Sequence, residues 1–363
     1  MSDTPDSLTQ TELLSLLAEG VAVWNEWRAN DLQLLECIPE EEFSEYLALN
    51  LSEVNLKGAN LKRVNFRQID LSWADLSGAD LSGAKLYKAN LSGANLSGAN
   101  LSNANLNGAN LTAAILQSAN LDGANLSRTD LSEFDFSQAI LHKVNFLKAN
   151  LTKANFRKAN LSKCKFTYAN LEAADFHQAD MSGAKLGGAK LIRANLSELN
   201  LTGLNLSRAD LNAANLTKTN LIAANLSGAN LYDTKVSGAK FNKANLFNII
   251  LLAPDLNEAE LSGANWKNSQ LWGFNFSGFN LNGINFSGTK LRESNFYKTN
   301  LIGADFSQAD LQSANFQEAN LLGADFNRAN LMNANLLGAN ILGAELSSAR
   351  LTGAIMPNGT KYK

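Results

Sequence analysis

From Leu51 onward an apolar residue recurs at every fifth position: Leu51, Leu56, Leu61, Phe66, Leu71 and on in register to Ile341, Leu346 and Leu351. All 61 positions of the series are apolar, and Leu or Phe fills 57 of them; the others are Met181, Val236, Trp266 and Ile341. The residue before each is Asn 35 times and Asp 12 times, and the residue two before is usually Ala. The unit is A-(N/D)-(L/F)-x-x, with x often Ser then Gly. A period of five matches neither the alternation of a strand nor the 3.6 of a helix. It fits a chain that turns a corner every five residues. One large apolar side chain then points inward from each side of a coil, with the small residue two before it also inside, and the other three positions face water. Successive coils stack at about 4.8 Å, the inter-strand spacing.

The phenylalanines set the number of sides. They fill 13 of the 61 central positions, mostly in two runs: Phe136, Phe146, Phe156, Phe166, Phe176, and Phe276, Phe286, Phe296, Phe306, Phe316, Phe326. Sorted by a 20-residue period, 12 of the 13 fall on one pair of opposite sides, with Phe241 the exception. A three-sided coil of 15 residues would scatter them over every side. Large side chains set against smaller ones across a narrow interior are what close packing demands. The expected fold is an all-β solenoid, a quadrilateral β-helix of about 15 coils at one coil per 20 residues.

The repeat resembles the pentapeptide-repeat family, and the resemblance covers residues 51–355. It implies a right-handed quadrilateral β-helix. The flanks GVAVWNEWR (Gly20 to Arg28) and GAIMPNGTKY are similar to those of many cyanobacterial members.

A stack of coils has two open ends and needs caps. Residues 1–50 read as an N-terminal helical cap. Thr9 and Glu12 form a capping-box pattern, with Leu8 and Leu13 as a hydrophobic staple. Leu13, Leu17, Val21, Trp24 and Arg28 share one helical face, with Leu16 and Trp27 beside it. Pro39 precedes a second short helical stretch, Glu40 to Leu47. At the other end Pro357-Asn358-Gly359 ends the last coil and leaves 356–363 as a tail. Residues 247–290 are the least regular part of the body. There the small inward position becomes Ile249, Pro254, Phe274, Phe279 and Ile284, and the intact register predicts a locally widened coil rather than a break.

Charged residues are only 18% of the 363, with 4 Pro and 2 His, and the net charge of −3 selects no partner by itself. Cys37 and Cys164 give neither a disulfide framework nor metal spacing. No signal peptide and no apolar stretch of membrane-spanning length is read, so a cytoplasmic protein is expected. An interior of Leu, Phe and Ala leaves no pocket where acid, base and nucleophile converge. His142 and His177 point outward on adjacent sides. No catalytic, metal-ligating or cofactor-binding residues are expected.

Writing the chain in columns of 20 separates the faces. Three carry mixed charges. On the fourth, the outward positions from Asn65 to Asn268 hold Arg67, Lys85, Lys88, Arg128, Lys148, Lys165, Lys185, Arg208 and Lys267, and no acid. That is a basic strip about 50 Å long over eleven coils. Two apolar ladders also point outward at 20-residue spacing: Tyr232, Leu252 and Trp272 on one face, Ile302, Leu322 and Leu342 on the opposite one. Such ladders suggest contact surfaces.

Three functions follow, in order of preference. The first is a non-catalytic structural or protein-interaction scaffold presenting the faces of a rigid rod. The second comes from the resemblance, since some family members mimic a DNA duplex and bind type II topoisomerases. This sequence lacks the concentrated acidic face and the C-terminal helical module that go with that role. The third is an anionic partner such as nucleic acid on the basic strip, ranked last because that face is expected to lack interleaved aromatics.

Overall fold

Each five-residue unit makes one side and one corner of a coil. In the computed structural model the Ala79 N–H donates to the Leu76 carbonyl at 3.1 Å, closing a turn over Leu76–Ala79, and the same bond recurs from unit to unit. The third residue of each turn is left-handed, with φ of 65° at Gly78 and 58° at Lys158. This turn class asks for Gly there, which explains the Ser-Gly habit; a side chain in that conformation gives up about 1–2 kcal/mol. The Asn or Asp locks the corner. Asp75 Oδ1 accepts the Ser77 amide at 3.0 Å, and Asn95 Oδ1 accepts the Ser97 amide at 3.1 Å. The hydrogen bonds from Ser77 hold the Asp75 carboxyl below its ordinary pKa.

Coils are joined by backbone bonds and by side-chain amides. The Leu51 N–H donates to the Asp70 carbonyl at 2.7 Å. Parallel bridges link residues 20 apart on four consecutive sides, Asn50 with Asp70, Asn55 with Asp75, Asn60 with Asp80 and Asn65 with Lys85. Asn90 Nδ2 reaches Asp70 Oδ1 at 2.9 Å, and Asn110 Nδ2 reaches Asn90 Oδ1 at 3.0 Å. Asn both donates and accepts, so one residue type serves the corner and the ladder together.

The structure describes residues 8–35, 49–251 and 256–363, in two compact units, Met1–Asn170 and Leu171–Lys363. Cys37, Pro39, the helical stretch expected at Glu40–Leu47, Leu252 and Pro254 lie outside the described residues.

In the first unit, α1 (Gln10–Ala18) starts at Thr9, whose side chain and that of Glu12 form the reciprocal capping box. The single helical face read through Arg28 is divided. The chain breaks at Gly20, φ 119°, and α2 (Val21–Leu35) starts afresh. Leu13, Leu17, Trp24 and Arg28 are buried all the same, while Val21 is only half-buried. The Trp24 ring meets Phe66 edge-on at 5.4 Å. Its Nε1–H donates to the Asn65 carbonyl at 2.9 Å, the Asn65 N–H donates to Asn25 Oδ1 at 2.7 Å, and Arg28 Nη2 donates to the Arg67 carbonyl at 2.6 Å. One coil on, the chain supplies the equivalent bonds itself, Lys85 N–H to Val64 and Phe66 N–H to Lys85, both at 2.8 Å. Side chains of α2 therefore stand where a preceding coil would be.

The interior is layered as the Phe pattern predicts. Phe136 stacks on Phe156 at 5.3 Å and Phe146 on Phe166 at 5.1 Å, while Phe146 meets Phe156 edge-on at 6.2 Å. In the second unit Phe276, Phe296 and Phe316 form one stack and Phe286, Phe306 and Phe326 the other. Within 256–290 the 20-residue bridging continues, Asn265 with Asn285 and Gln270 with Lys290, and Phe274 and Ile284 are buried inside. Beyond the last coil the chain turns back. Ile355 bridges Lys361 antiparallel, and Tyr362 N–H donates to the Ala354 carbonyl at 2.8 Å.

Where Ser, Thr or Cys replaces the inward Ala, the side chain donates to a carbonyl 23 residues earlier, except at Thr129, which donates to the Leu126 carbonyl of its own turn. Thr219 does so to Leu196, Thr289 to Trp266, and Cys164 Sγ to Leu141 at 2.8 Å. Burial pushes the Cys164 thiol up to about 12 from an ordinary 9.0. The unfolded chain therefore loses this proton at lower pH than the folded one. Stability should fall by roughly 1.4 kcal/mol per pH unit as pH rises through that window, starting near the unfolded pKa. Denaturant titrations of wild type and Cys164→Ala between pH 8 and 11 check this. The wild type should lose stability relative to the variant above pH about 9, and parallel curves would contradict it.

Candidate interaction faces

The cations read onto the basic strip sit beside the central residues Phe66, Leu86 and Phe146 in the first unit and Leu186, Leu206 and Trp266 in the second. In the first unit Asn65, Lys85, Asn105, Asn125, Asn145 and Lys165 bridge in succession, so Arg67, Lys85, Lys88, Arg128, Lys148 and Lys165 share one continuous surface. In the second unit Lys185 to Asn265 bridge in the same way and carry Lys185, Arg208 and Lys267, all exposed. Among the described residues none of these nine forms an ion pair. The pairs lie on other faces: Lys153 with Glu133, Arg193 with Glu172, Lys240 with Glu260, Arg292 with Asp310 and Lys298 with Glu318.

The expectation that this face lacks aromatics is wrong. Tyr87, Tyr168 and Phe247 occupy its outward positions, and Tyr168 is 58% exposed. Their signal is in the sequence, since Tyr87 and Phe247 share the 20-residue column of Arg67, and Tyr168 shares that of Lys88. Arg67 Cζ lies 5.6 Å and Lys88 Nζ 5.5 Å from the Tyr87 ring centre. Arg67, Lys85, Tyr87 and Asn105 line a shallow concavity. Arg28 is buried next to it, and desolvation, followed by the charge of Arg67, pushes its guanidinium down to about 10. The group stays charged at neutral pH.

Both apolar ladders are exposed where they are described. Tyr232 and Trp272 are exposed on one face, with Lys290 Nζ 5.7 Å from the Trp272 ring centre. Ile302, Leu322 and Leu342 are exposed on the face bridged by Asn300, Asn320 and Asn340. Ile250 takes an Asn position between Tyr232 and Trp272 and is also exposed. A β-branched residue at a position usually held by Asn or Asp is the sequence signal for it.

Asp122, His142 and Ser162 occupy equivalent outward positions on three successive coils. His142 Nδ1 lies 2.8 Å from Asp122 Oδ1, but Ser162 Oγ donates to Asn160 Oδ1 at 2.6 Å and is not engaged by the imidazole. Among the described residues no group of three or more His, Cys, Asp or Glu could hold a metal ion, and no helix is long and apolar enough to cross a membrane.

The five-residue corner, repeated at 20-residue bridging, has a match among known protein families. The pentapeptide repeats model matches residues 50–86, 89–128, 119–157, 154–191, 179–217, 189–228 and 209–248, and the pentapeptide repeat region model matches 255–326. The chain belongs to the pentapeptide-repeat family. Members adopt right-handed quadrilateral β-helices and are generally non-catalytic structural or interaction scaffolds. No curated protein matches the chain. Among solved structures it is similar to HetL, a pentapeptide repeat protein involved in heterocyst differentiation regulation from the cyanobacterium Nostoc sp. strain PCC 7120. That match is at 25% identity over 89% of this chain and 97% of that one, with a TM-score of 0.17. A pentapeptide repeat protein of the Arabidopsis thaliana thylakoid lumen matches at 31% identity over 31% of this chain and 65% of that one, TM-score 0.14. QnrB1, a plasmid-mediated fluoroquinolone resistance protein, matches at 17% identity over 58% and 88%, TM-score 0.35. The family assignment rests on the repeat models.

Proposed function

We propose that this pentapeptide-repeat protein is a non-catalytic scaffold that holds a protein partner against the outer faces of its coils. The observation that carries this reading is the apolar column of Tyr232, Ile250 and Trp272, exposed on successive coils of a polar repeat surface. Aromatic side chains on a rigid support are the usual anchors of protein interfaces. A duplex-mimicking regulator of a topoisomerase would need an acidic face, and the unbroken charge here is basic. We also propose that residues 1–50 cap about 15 coils over 51–355, with 356–363 as a tail; the bonds from Trp24, Asn25 and Arg28 to the first coil support the cap. The test of the scaffold is affinity capture from the source cells with wild type and with the Tyr232→Glu, Trp272→Glu double variant. The variant should lose specific partners while keeping its circular dichroism. Unchanged capture would sink the reading.

A further inference from the structure

On the first unit, six cations line one face over the coils centred on Phe66 to Phe166: Arg67, Lys85, Lys88, Arg128, Lys148 and Lys165. At about 4.8 Å per coil this column is roughly 24 Å long. No carboxylate shares the face, and none of the six is ion-paired among the described residues, although cations on other faces pair readily. Between them lie further hydrogen-bond donors, Asn105 and Thr167. Leu147 is the one aliphatic side chain pointing outward here. A protein partner would find no apolar centre to bury. A partner dense in negatively charged acceptors would find a donor at every coil.

The N-terminal end of the column is the most demanding part. Arg67 and Lys88 are gathered on a single Tyr87 ring, Lys85 lines the same concavity, and the buried Arg28 sits behind Arg67. Three like charges, Arg67, Lys85 and Lys88, at close quarters repel one another, and an anion in the concavity would relieve that repulsion. At the other end Tyr168 offers an open ring.

We propose that this face binds single-stranded nucleic acid, with the phosphodiester backbone along the cation column, a phosphate in the concavity of Arg67, Lys85, Tyr87 and Asn105, and a base stacked on Tyr168. Basic grooves interleaved with aromatic rings are how proteins take up single strands without reading sequence. The face is built of turns and short bridges and projects no helix or ribbon, so it has nothing to insert into a duplex groove. A flexible strand can follow it coil by coil. This site uses different side chains from the apolar column of the second unit, so each can fail without the other.

The experiment is fluorescence anisotropy with the full chain and a labelled oligothymidylate of about twelve nucleotides. Binding should weaken with salt at a log–log slope of roughly −3.5 to −4, which five or six phosphate contacts to a single strand produce. The triple variant Arg67→Glu, Lys85→Glu, Lys88→Glu should bind about a hundredfold more weakly or worse, because it reverses three phosphate contacts. Lys143→Glu, Lys158→Glu, Lys163→Glu makes the same charge change on other faces and should lose several-fold at most. Tyr168→Ala, which leaves charge and interior untouched, should lose about tenfold, and Tyr168→Phe should retain binding. The proposal is overturned if the oligonucleotide does not bind or if both triple variants lose equally. It is overturned too if a duplex binds more tightly than the single strand, or if polyglutamate displaces the oligonucleotide at equal charge concentration.

Discussion

Phe296→Ala should destabilise the second unit by about 3–5 kcal/mol, the range for removing a buried aromatic ring. Phe296 is fully buried, stacks on Phe276 at 5.2 Å and on Phe316 at 4.8 Å, and meets Phe286 and Phe306 edge-on at 6.1 and 5.7 Å. The hole cannot close by collapse. The coils above and below are held at fixed spacing by backbone bonds, Asn295 N–H to Phe274 at 2.8 Å and Phe296 N–H to Asn315 at 2.7 Å. Nearest-neighbour coupling then passes the loss to the adjacent coils. Gln317→Ala, on the water side of the same stack, should stay within about 0.5 kcal/mol. Urea titration of both variants checks this, and comparable shifts would contradict the inward placement of the Phe columns.

Trp24→Ala should release α1 and α2 from the first coil. Trp24 is fully buried, and truncation removes both its edge-on contact with Phe66 and the bond from Nε1 to the Asn65 carbonyl. A loss of about 3–5 kcal/mol is expected for a buried Trp, and it falls on the attachment of the helices rather than on the coils. With the helices detached, the Asn65 N–H and the Asn65 and Arg67 carbonyls become an open edge that a second chain can pair with. Limited proteolysis should cut within residues 8–35 far faster than in wild type, and light scattering should show concentration-dependent association. A variant that stays monomeric and resists the protease would mean that these helices do not protect the edge, and Trp24 and Trp27 would be better regarded as partner-binding residues.

The interior could be read from the chain because its rule is local: Leu or Phe at nearly every fifth position and usually Ala two before it, in one unbroken register. The four sides followed from the Phe columns because ring size is visible in sequence. The break at Gly20 was not legible, because Leu13, Leu17, Trp24 and Arg28 satisfy one helical period whether or not the helix is continuous. The left-handed turn position was only half legible. Gly announces it, but Lys158 and Tyr168 adopt the same φ under the force of the corner. The bonds from Thr219, Thr289 and Cys164 to carbonyls 23 residues back join atoms on successive coils, a relation that a column of letters does not show. The basic strip was legible as charge. Its chemistry was not, because the pairing of Arg67 and Lys88 on Tyr87 depends on where side chains lie across the face.

The asparagine ladders also set how this protein ages. Every carboxamide in them donates toward the N-terminus, Asn110 to Asn90, Asn145 to Asn125, Asn265 to Asn245, Asn340 to Asn320. Aspartate can accept from the rung above it but cannot donate to the rung below. Asp70 beneath Asn90 and Asp175 beneath Asn195 therefore fit as starting rungs. Deamidation at Asn110 would set a carboxylate against the Asn90 carbonyl oxygen and turn an attraction into a repulsion, while leaving the Thr112 corner bond in place. Hydrolytic damage thus acts in one direction along the ladder, loosening the grip of a coil on the one before it while its own corner holds.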